Sequence, residues 1–204
     1  MKKKRLNLIL LILIFVLIIC CGVSVYFSYI KKEKASTKKM EDTIEEYDYH
    51  LYDSDSKEYK KLFYELKDIL NASSINEEEY LKVISKMFAM DFYTLQNKIS
   101  NDDIGGVEFV YSKVVDNFKS KAKDSVYLYL ENYLNNKKKQ QLPVVKDVLV
   151  DTMEVTPYTY LNTIDKKAYG VKIQIEYEKD LGYPTEATLY FIHDGKKLAL
   201  VEVA

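Results

Sequence analysis

Apolar positions recur along this chain with three different spacings. From Leu8 to Ile30 there is no spacing at all, only 23 consecutive residues without charge or proline. At about 1.5 Å per residue a helix of that length reaches ~34 Å, enough to cross a hydrocarbon core of ~30 Å. Over Lys57–Leu70 the apolar residues Tyr59, Leu62, Phe63, Leu66, Ile69 and Leu70 fall at helical steps and predict an amphipathic helix. A second helix is predicted to begin after Asn76. Glu79 stands at the capping-box position, Ile75 and Tyr80 are placed for a hydrophobic staple, and Glu77 and Glu78 suit the positive end of the helix dipole. Its stripe runs through Leu81, Ile84, Phe88, Phe92 and Leu95, is widened by Met87 and Met90, and ends around Asn97. After Gly105-Gly106, the positions Val107, Val110, Val114, Phe118, Ala122, Val126, Tyr129 and Tyr133 predict a third helix of up to 28 residues, with a break near Ser120.

Beyond Pro143 the spacing changes to two. Val144 to Leu161 is rich in valine and threonine, and Tyr169, Val171, Ile173, Ile175 and Tyr177 alternate with polar residues as in a half-buried strand. Ala187, Leu189 and Phe191 alternate in a third strand. Asp194-Gly195 is a hairpin signal, and Leu198 to Val203 completes a fourth strand. Three helices followed by a four-stranded antiparallel meander predict an α+β domain over 57–204.

The uncharged run is best read as an uncleaved transmembrane helix. It is too long for the apolar core of a signal peptide, and no small-residue cleavage site follows it. Ile19 before Cys20, and Cys20 before Cys21, do not suit lipid attachment. Tyr26, Phe27 and Tyr29 sit where interfacial aromatics belong. Both flanks are basic, so charge does not choose the orientation. A short tail (1–7) has no reason to be translocated, which predicts a cytoplasmic N-terminus and an extracytoplasmic domain. Residues 31–56 show no period and predict a charged linker. Nine basic residues against one acid over 1–39 are followed by seven acids and no base over 40–56.

Composition narrows the chemistry. The 204 residues carry 30 basic and 31 acidic side chains, a net charge of −1. That balance opposes a basic nucleic-acid binder. Only one basic residue, Arg5, is an arginine; with 19 tyrosines this is the bias of an AT-rich, low-GC bacterial genome. Two adjacent cysteines and two separated histidines, His50 and His193, provide no disulfide framework and no metal-spaced cluster. No cofactor, metal site or catalytic constellation is therefore expected. Asp151 shares strand parity with Leu149 and Met153, and a bulge or edge position would account for it. His193, beside the hairpin glycine, is expected to be exposed.

Helices first, then a long antiparallel meander, resembles the cone-shaped nuclear transport factor 2-like superfamily. With a membrane anchor in front, the order resembles the scaffold subunits of bacterial type IV secretion and conjugation machines. The stretches Asp91-Phe-Tyr-Thr-Leu-Gln-Asn-Lys98 and Asp103-Ile-Gly-Gly106 resemble segments of uncharacterised anchored proteins from low-GC bacteria. The resemblance implies a non-enzymatic assembly domain at the cell membrane, acting with protein partners or with further copies of itself. It also implies two alternatives: a cone that binds an apolar or peptide ligand, and an isomerase- or hydrolase-like enzyme. Enzymes of this superfamily place an acid or base and often a tyrosine inside the cone. Asp91 is the candidate for that acid or base, and Asp91, Tyr93, Gly105 and Gly106 are the candidates for ligand binding. An apolar pocket would raise the Asp91 pKa towards general-base use. The competing and favoured reading has Asp91 bonding a backbone amide near Ile104-Gly105-Gly106, with both glycines serving the turn.

Overall fold

A computed structural model describes residues 39–133, 139–160 and 163–204. The residues divide into two units, Met1–Lys38 and Lys39–Ala204, and only the second is described. The predicted span Leu8–Ile30 and the tail before it lie outside the described residues. Among those described, no helix is long and apolar enough to cross a membrane.

The second unit opens with a hairpin, β1 (Met40–Ile44) and β2 (Tyr49–Tyr52), antiparallel with Ile44 opposite Tyr49. This corrects the expectation of a linker for its 40–56 part. Ile44, Tyr47, Tyr49 and Leu51 are all buried between the acids, and Tyr49 and Leu51 are wholly inaccessible. Aspartate tolerates the left-handed backbone the turn needs, and Asp48 supplies it at φ 54°. The acids face lysines of the next helix: Asp42 pairs with Lys67 at 2.7 Å, and Glu41 pairs with Lys60. A block that reads as solvated charge is thus one side of a docked hairpin.

Helix α1 (Lys57–Leu70) has the predicted limits. The Ser56 hydroxyl caps it by accepting the Tyr59 amide at 3.1 Å, and Tyr59, Phe63, Leu66 and Leu70 form its buried stripe. Helix α2 (Glu77–Tyr93) is capped by Asn76, whose side-chain oxygen accepts the amides of Glu78 and Glu79. Its predicted stripe is buried, but so are Val83, Ser85, Ala89 and Tyr93. A helix apolar nearly all round is covered on more than one side: α2 packs against α1 and also against the strands Val145–Val155 and Tyr169–Tyr177. It stops at Tyr93, two residues before the end of its stripe. Leu95 stays buried in the following turn, where the amides of Leu95 and Gln96 both donate to the Pro143 carbonyl.

The third predicted helix is broken up. Val107–Phe109 and Ser112–Val114 are single 3-10 turns, and the helix proper, α3, is only Val115–Lys123. Tertiary pairing overrides the helical spacing: Val110 bridges Leu200, and the Tyr111 amide donates to the Leu200 carbonyl at 2.8 Å. After Lys123 the chain turns, leaving Tyr129 79% exposed although the helical spacing had placed it on the buried side.

The main sheet consists of β3 (Val145–Val155), β6 (Tyr169–Tyr177), β7 (Glu186–Asp194) and β8 (Lys197–Val203), antiparallel in that order. Three helices on a four-stranded antiparallel sheet make the domain α+β. Ile173 lies opposite Val150 and Ala187, and Val171 opposite Met153 and Leu189, so one face is apolar across the central strands. The Asp194-Gly195 signal is a true hairpin, with Asp194 opposite Lys197 and Gly195 at φ 63°. The first strand is shorter than predicted because Thr156-Pro157 interrupts it, proline having no amide to donate. Beyond the break β4 (Tyr158–Tyr160) pairs with β5 (Thr163–Asp165) and prolongs the β3–β6 ribbon. Asp151 is exposed and falls where the β3–β6 register shifts, between Val150 and Thr152, so it occupies a bulge.

Candidate functional site

Three of the four candidate residues meet at the C-terminal end of α2. The Asp91 carboxylate accepts the Gly106 amide at 2.7 Å on one oxygen and the Lys98 ammonium on the other. Lys98 is 1% exposed, so the pair with that carboxylate lies inside the fold on the lysine side. Gly105 donates its amide to the Tyr127 hydroxyl at 3.0 Å, and that hydroxyl donates to the Phe92 carbonyl at 2.7 Å. Both glycines are required sterically. A Cβ on Gly105 would lie 2.2 Å from the Asp91 carbonyl oxygen, and one on Gly106 would lie 2.6 Å from the Phe88 ring, at a φ of 70°. Asp91 thus has its two oxygens on Lys98 and the Gly106 amide, ordering the turn.

Tyr93 belongs elsewhere, in the wall of an open cleft of about 380 Å³. Phe92, Tyr93, Phe118, Tyr158, Tyr160 and Val201–Val203 of β8 line it. Strand β8 is an edge of the sheet, and Val110-Tyr111 covers it only as far as Leu200. The aromatic walls are braced. Phe92 packs on Phe118 with ring centroids 5.3 Å apart, Tyr111 meets Tyr160 edge-on at 5.8 Å, and Tyr158 meets Tyr190 at 5.3 Å. Burial pushes the Tyr93 hydroxyl up to about 12, and burial with the nearby Glu202 carboxylate raises that of Tyr158 further. Both phenols are neutral at physiological pH. Lys121, Asn117, Ser125 and Glu202 are the polar groups of the cleft. The arrangement can grip an apolar or aromatic group beside an exposed strand edge.

Two polar centres were not legible in the sequence. Glu108, in the turn after Gly106, accepts the His50 amide at 3.0 Å and the Tyr59 hydroxyl at 3.1 Å, while the His50 ring lies 3.4 Å from the same carboxylate. Its backbone carbonyl accepts Lys197 at 2.9 Å, whose ammonium also lies 4.3 Å from the centre of the Tyr49 ring. The second centre is His193, half-buried rather than exposed. Its backbone amide and ring Nδ1 both contact Asp165 Oδ2 at 2.8 Å, and Nε2 lies 3.6 Å from Glu77. Burial works to raise the Asp165 carboxyl, but the bonds from His193 and the Lys167 amide outweigh it and hold it below its ordinary value. The bond from the Tyr169 hydroxyl at 2.7 Å lowers Glu77 likewise. Each cluster joins residues far apart in the chain, so no local motif announces it. Among the described residues no group of three or more histidine, cysteine, aspartate or glutamate side chains could hold a metal ion.

Compared with family models, curated proteins and solved structures, the chain matches none.

Proposed function

We propose that the chain is a single-pass, membrane-anchored assembly domain of a bacterial envelope complex, without catalysis of its own. In this reading Leu8–Ile30 holds it in the membrane and residues from Lys39 onward face outward. The observation that carries the reading is the contrast between two places. The acid a cone enzyme would use, Asp91, is engaged by Lys98 and the Gly106 amide, while the aromatic cleft lies open beside an edge strand. Such an edge, with pockets next to it, suits an extended segment of a partner protein, whose main chain can pair with β8. The nuclear transport factor 2-like resemblance supports the same reading through element order alone.

A photo-crosslinking residue in place of Tyr160 tests it in intact cells. Discrete adducts of defined mass are expected there and not from the same residue in place of Leu149, on the far edge strand. Absence of adducts at Tyr160, together with a lone monomer after gentle solubilisation, would refute the assembly role. A second reading, an apolar small-molecule ligand in the same cleft, is favoured by its volume, which lies in the range of ligand sites. In that case the cleft protects Tyr160 from modification without any protein adduct.

A further inference from the structure

The hairpin β1–β2 joins the domain to residues 1–38, and its outer edge is held by carboxylates. The amides of His50 and Tyr52 lie on the side of β2 facing away from β1. The first donates to Glu108 at 3.0 Å and the second to Asp55 at 2.8 Å. Asp55 is only three residues away and local. Glu108 is 58 residues away, and its carboxylate is the polar tie between the hairpin and the turn after Gly106.

The surroundings of this carboxylate come from five elements. From β2, His50 places Nδ1 3.4 Å from Oε2, with Asp48 3.6 Å from its Nε2. From α1, Tyr59 donates its hydroxyl to Oε1 at 3.1 Å. From β8, Lys197 is bound to the Glu108 carbonyl rather than to its carboxylate. From α2, Asp91 adds a repelling charge. From the turn before α1, Asp55 adds to the negative field at Tyr59. The carboxylate is therefore largely buried, with 19% of its side chain exposed, feels the charge of a second acid, and among the described residues has no lysine or arginine on either oxygen. An added proton has two places to go. It can lie between Oε2 and Nδ1 of His50, or on Oε1 with the Tyr59 hydroxyl turning from donor to acceptor. Both arrangements leave the two oxygens satisfied.

We propose that the Glu108–His50 contact is a proton-dependent latch: acidification from above neutrality tightens the docking of the β1–β2 hairpin on the rest of the domain. Burial, with a smaller contribution from Asp91, pushes the Glu108 carboxyl up to about 7, against the lowering effects of the His50 amide, the Tyr59 hydroxyl and the His50 ring charge. In an undocked hairpin the same carboxyl is solvated and returns towards 4.5. The docked state then binds the proton more tightly. Its advantage is complete below about 4.5 and is lost as the pH rises through about 7.

Hydrogen exchange of the full chain in detergent micelles tests the latch. After correction for intrinsic exchange, protection of the His50 and Leu51 amides is expected to rise about tenfold or more between roughly pH 8 and pH 5.5. Protection of the Val171 and Ile173 amides in β6 stays level. Glu108→Gln cannot ionise and should hold the hairpin amides at their low-pH protection throughout. Tyr59→Phe, which removes one donor to the carboxylate, should move the midpoint of the transition to higher pH and decides the matter if the glutamine variant does not fold. Flat hairpin protection in the parent chain, a parallel change in β6, an undiminished pH response in Glu108→Gln, or an unmoved midpoint in Tyr59→Phe would each overturn the proposal.

Discussion

At the residue scale, Asp91, Lys98 and Gly105 act as one unit. The Gly105 backbone runs against the Asp91 carbonyl, and the Asp91 carboxylate neutralises a lysine with 1% of its side chain exposed. Removing one member of such a pair leaves an uncompensated charge, whereas removing the other need not. Asp91→Ala should therefore cost about 3–5 kcal/mol, because it removes a carboxylate paired with a buried ammonium. Lys98→Met should cost only ~1 kcal/mol, because the methionine keeps the apolar stem and Asp91, 29% exposed, can turn to water. Gly105→Ala should cost about 3 kcal/mol, since the obstacle is main chain rather than a movable side-chain end. Denaturant melts of the full chain in detergent compare the three. Equal costs for Asp91→Ala and Lys98→Met would mean that the pair is solvated and that Asp91 is free for other chemistry.

At the element scale, α2 packs on the sheet through β3 and, to a lesser extent, β6. Val171 and Ile173 are wholly inaccessible and Ile175 nearly so, while Lys172, Gln174 and Glu176 between them are exposed. The facing stripe of α2 is buried from Leu81 to Phe92. Ile173→Ala should cost ~2–5 kcal/mol, from lost transfer energy plus the cavity left behind. Gln174→Ala should stay within about 0.5 kcal/mol. The same melts decide, and a larger cost at Gln174 would invert the assignment of the sheet faces. The hairpin β1–β2 belongs to this scale too. It buries four apolar side chains, so the domain begins at Lys39, and a fragment cut at Lys57 would lose part of its core.

At the scale of the whole molecule, the expected anchor and the described domain make separate claims. If Leu8–Ile30 spans the membrane, the protein stays with the membrane fraction after an alkaline wash. If residues 39–204 face outward, protease added to wall-stripped cells removes a C-terminal epitope. Release by alkali would end the anchor. Protection that disappears only on lysis would reverse the orientation.

The parts whose cause is local could be read from the residues alone. The limits of α1, the start of α2, the alternation of β6 and the Asp194-Gly195 turn follow from caps, steric preferences and the spacing of apolar residues within one element. Tertiary structure decided the parts whose partners are distant. A run of charge became a hairpin because Tyr49 and Leu51 found cover and its acids found the lysines of α1. A helical spacing over 107–133 yielded where the Tyr111 amide found the Leu200 carbonyl. Asp91 lay in view, but its partners Lys98 and the Gly106 amide came to it only through the fold. The aromatic cleft and the Glu108 cluster each gather residues from separate elements, and Glu108 lies 49 and 58 residues from the partners that give it meaning. Short-range energies write a pattern that a window of sequence can display, whereas burial and ion pairing depend on which surfaces meet, and that is decided only when the chain has closed on itself.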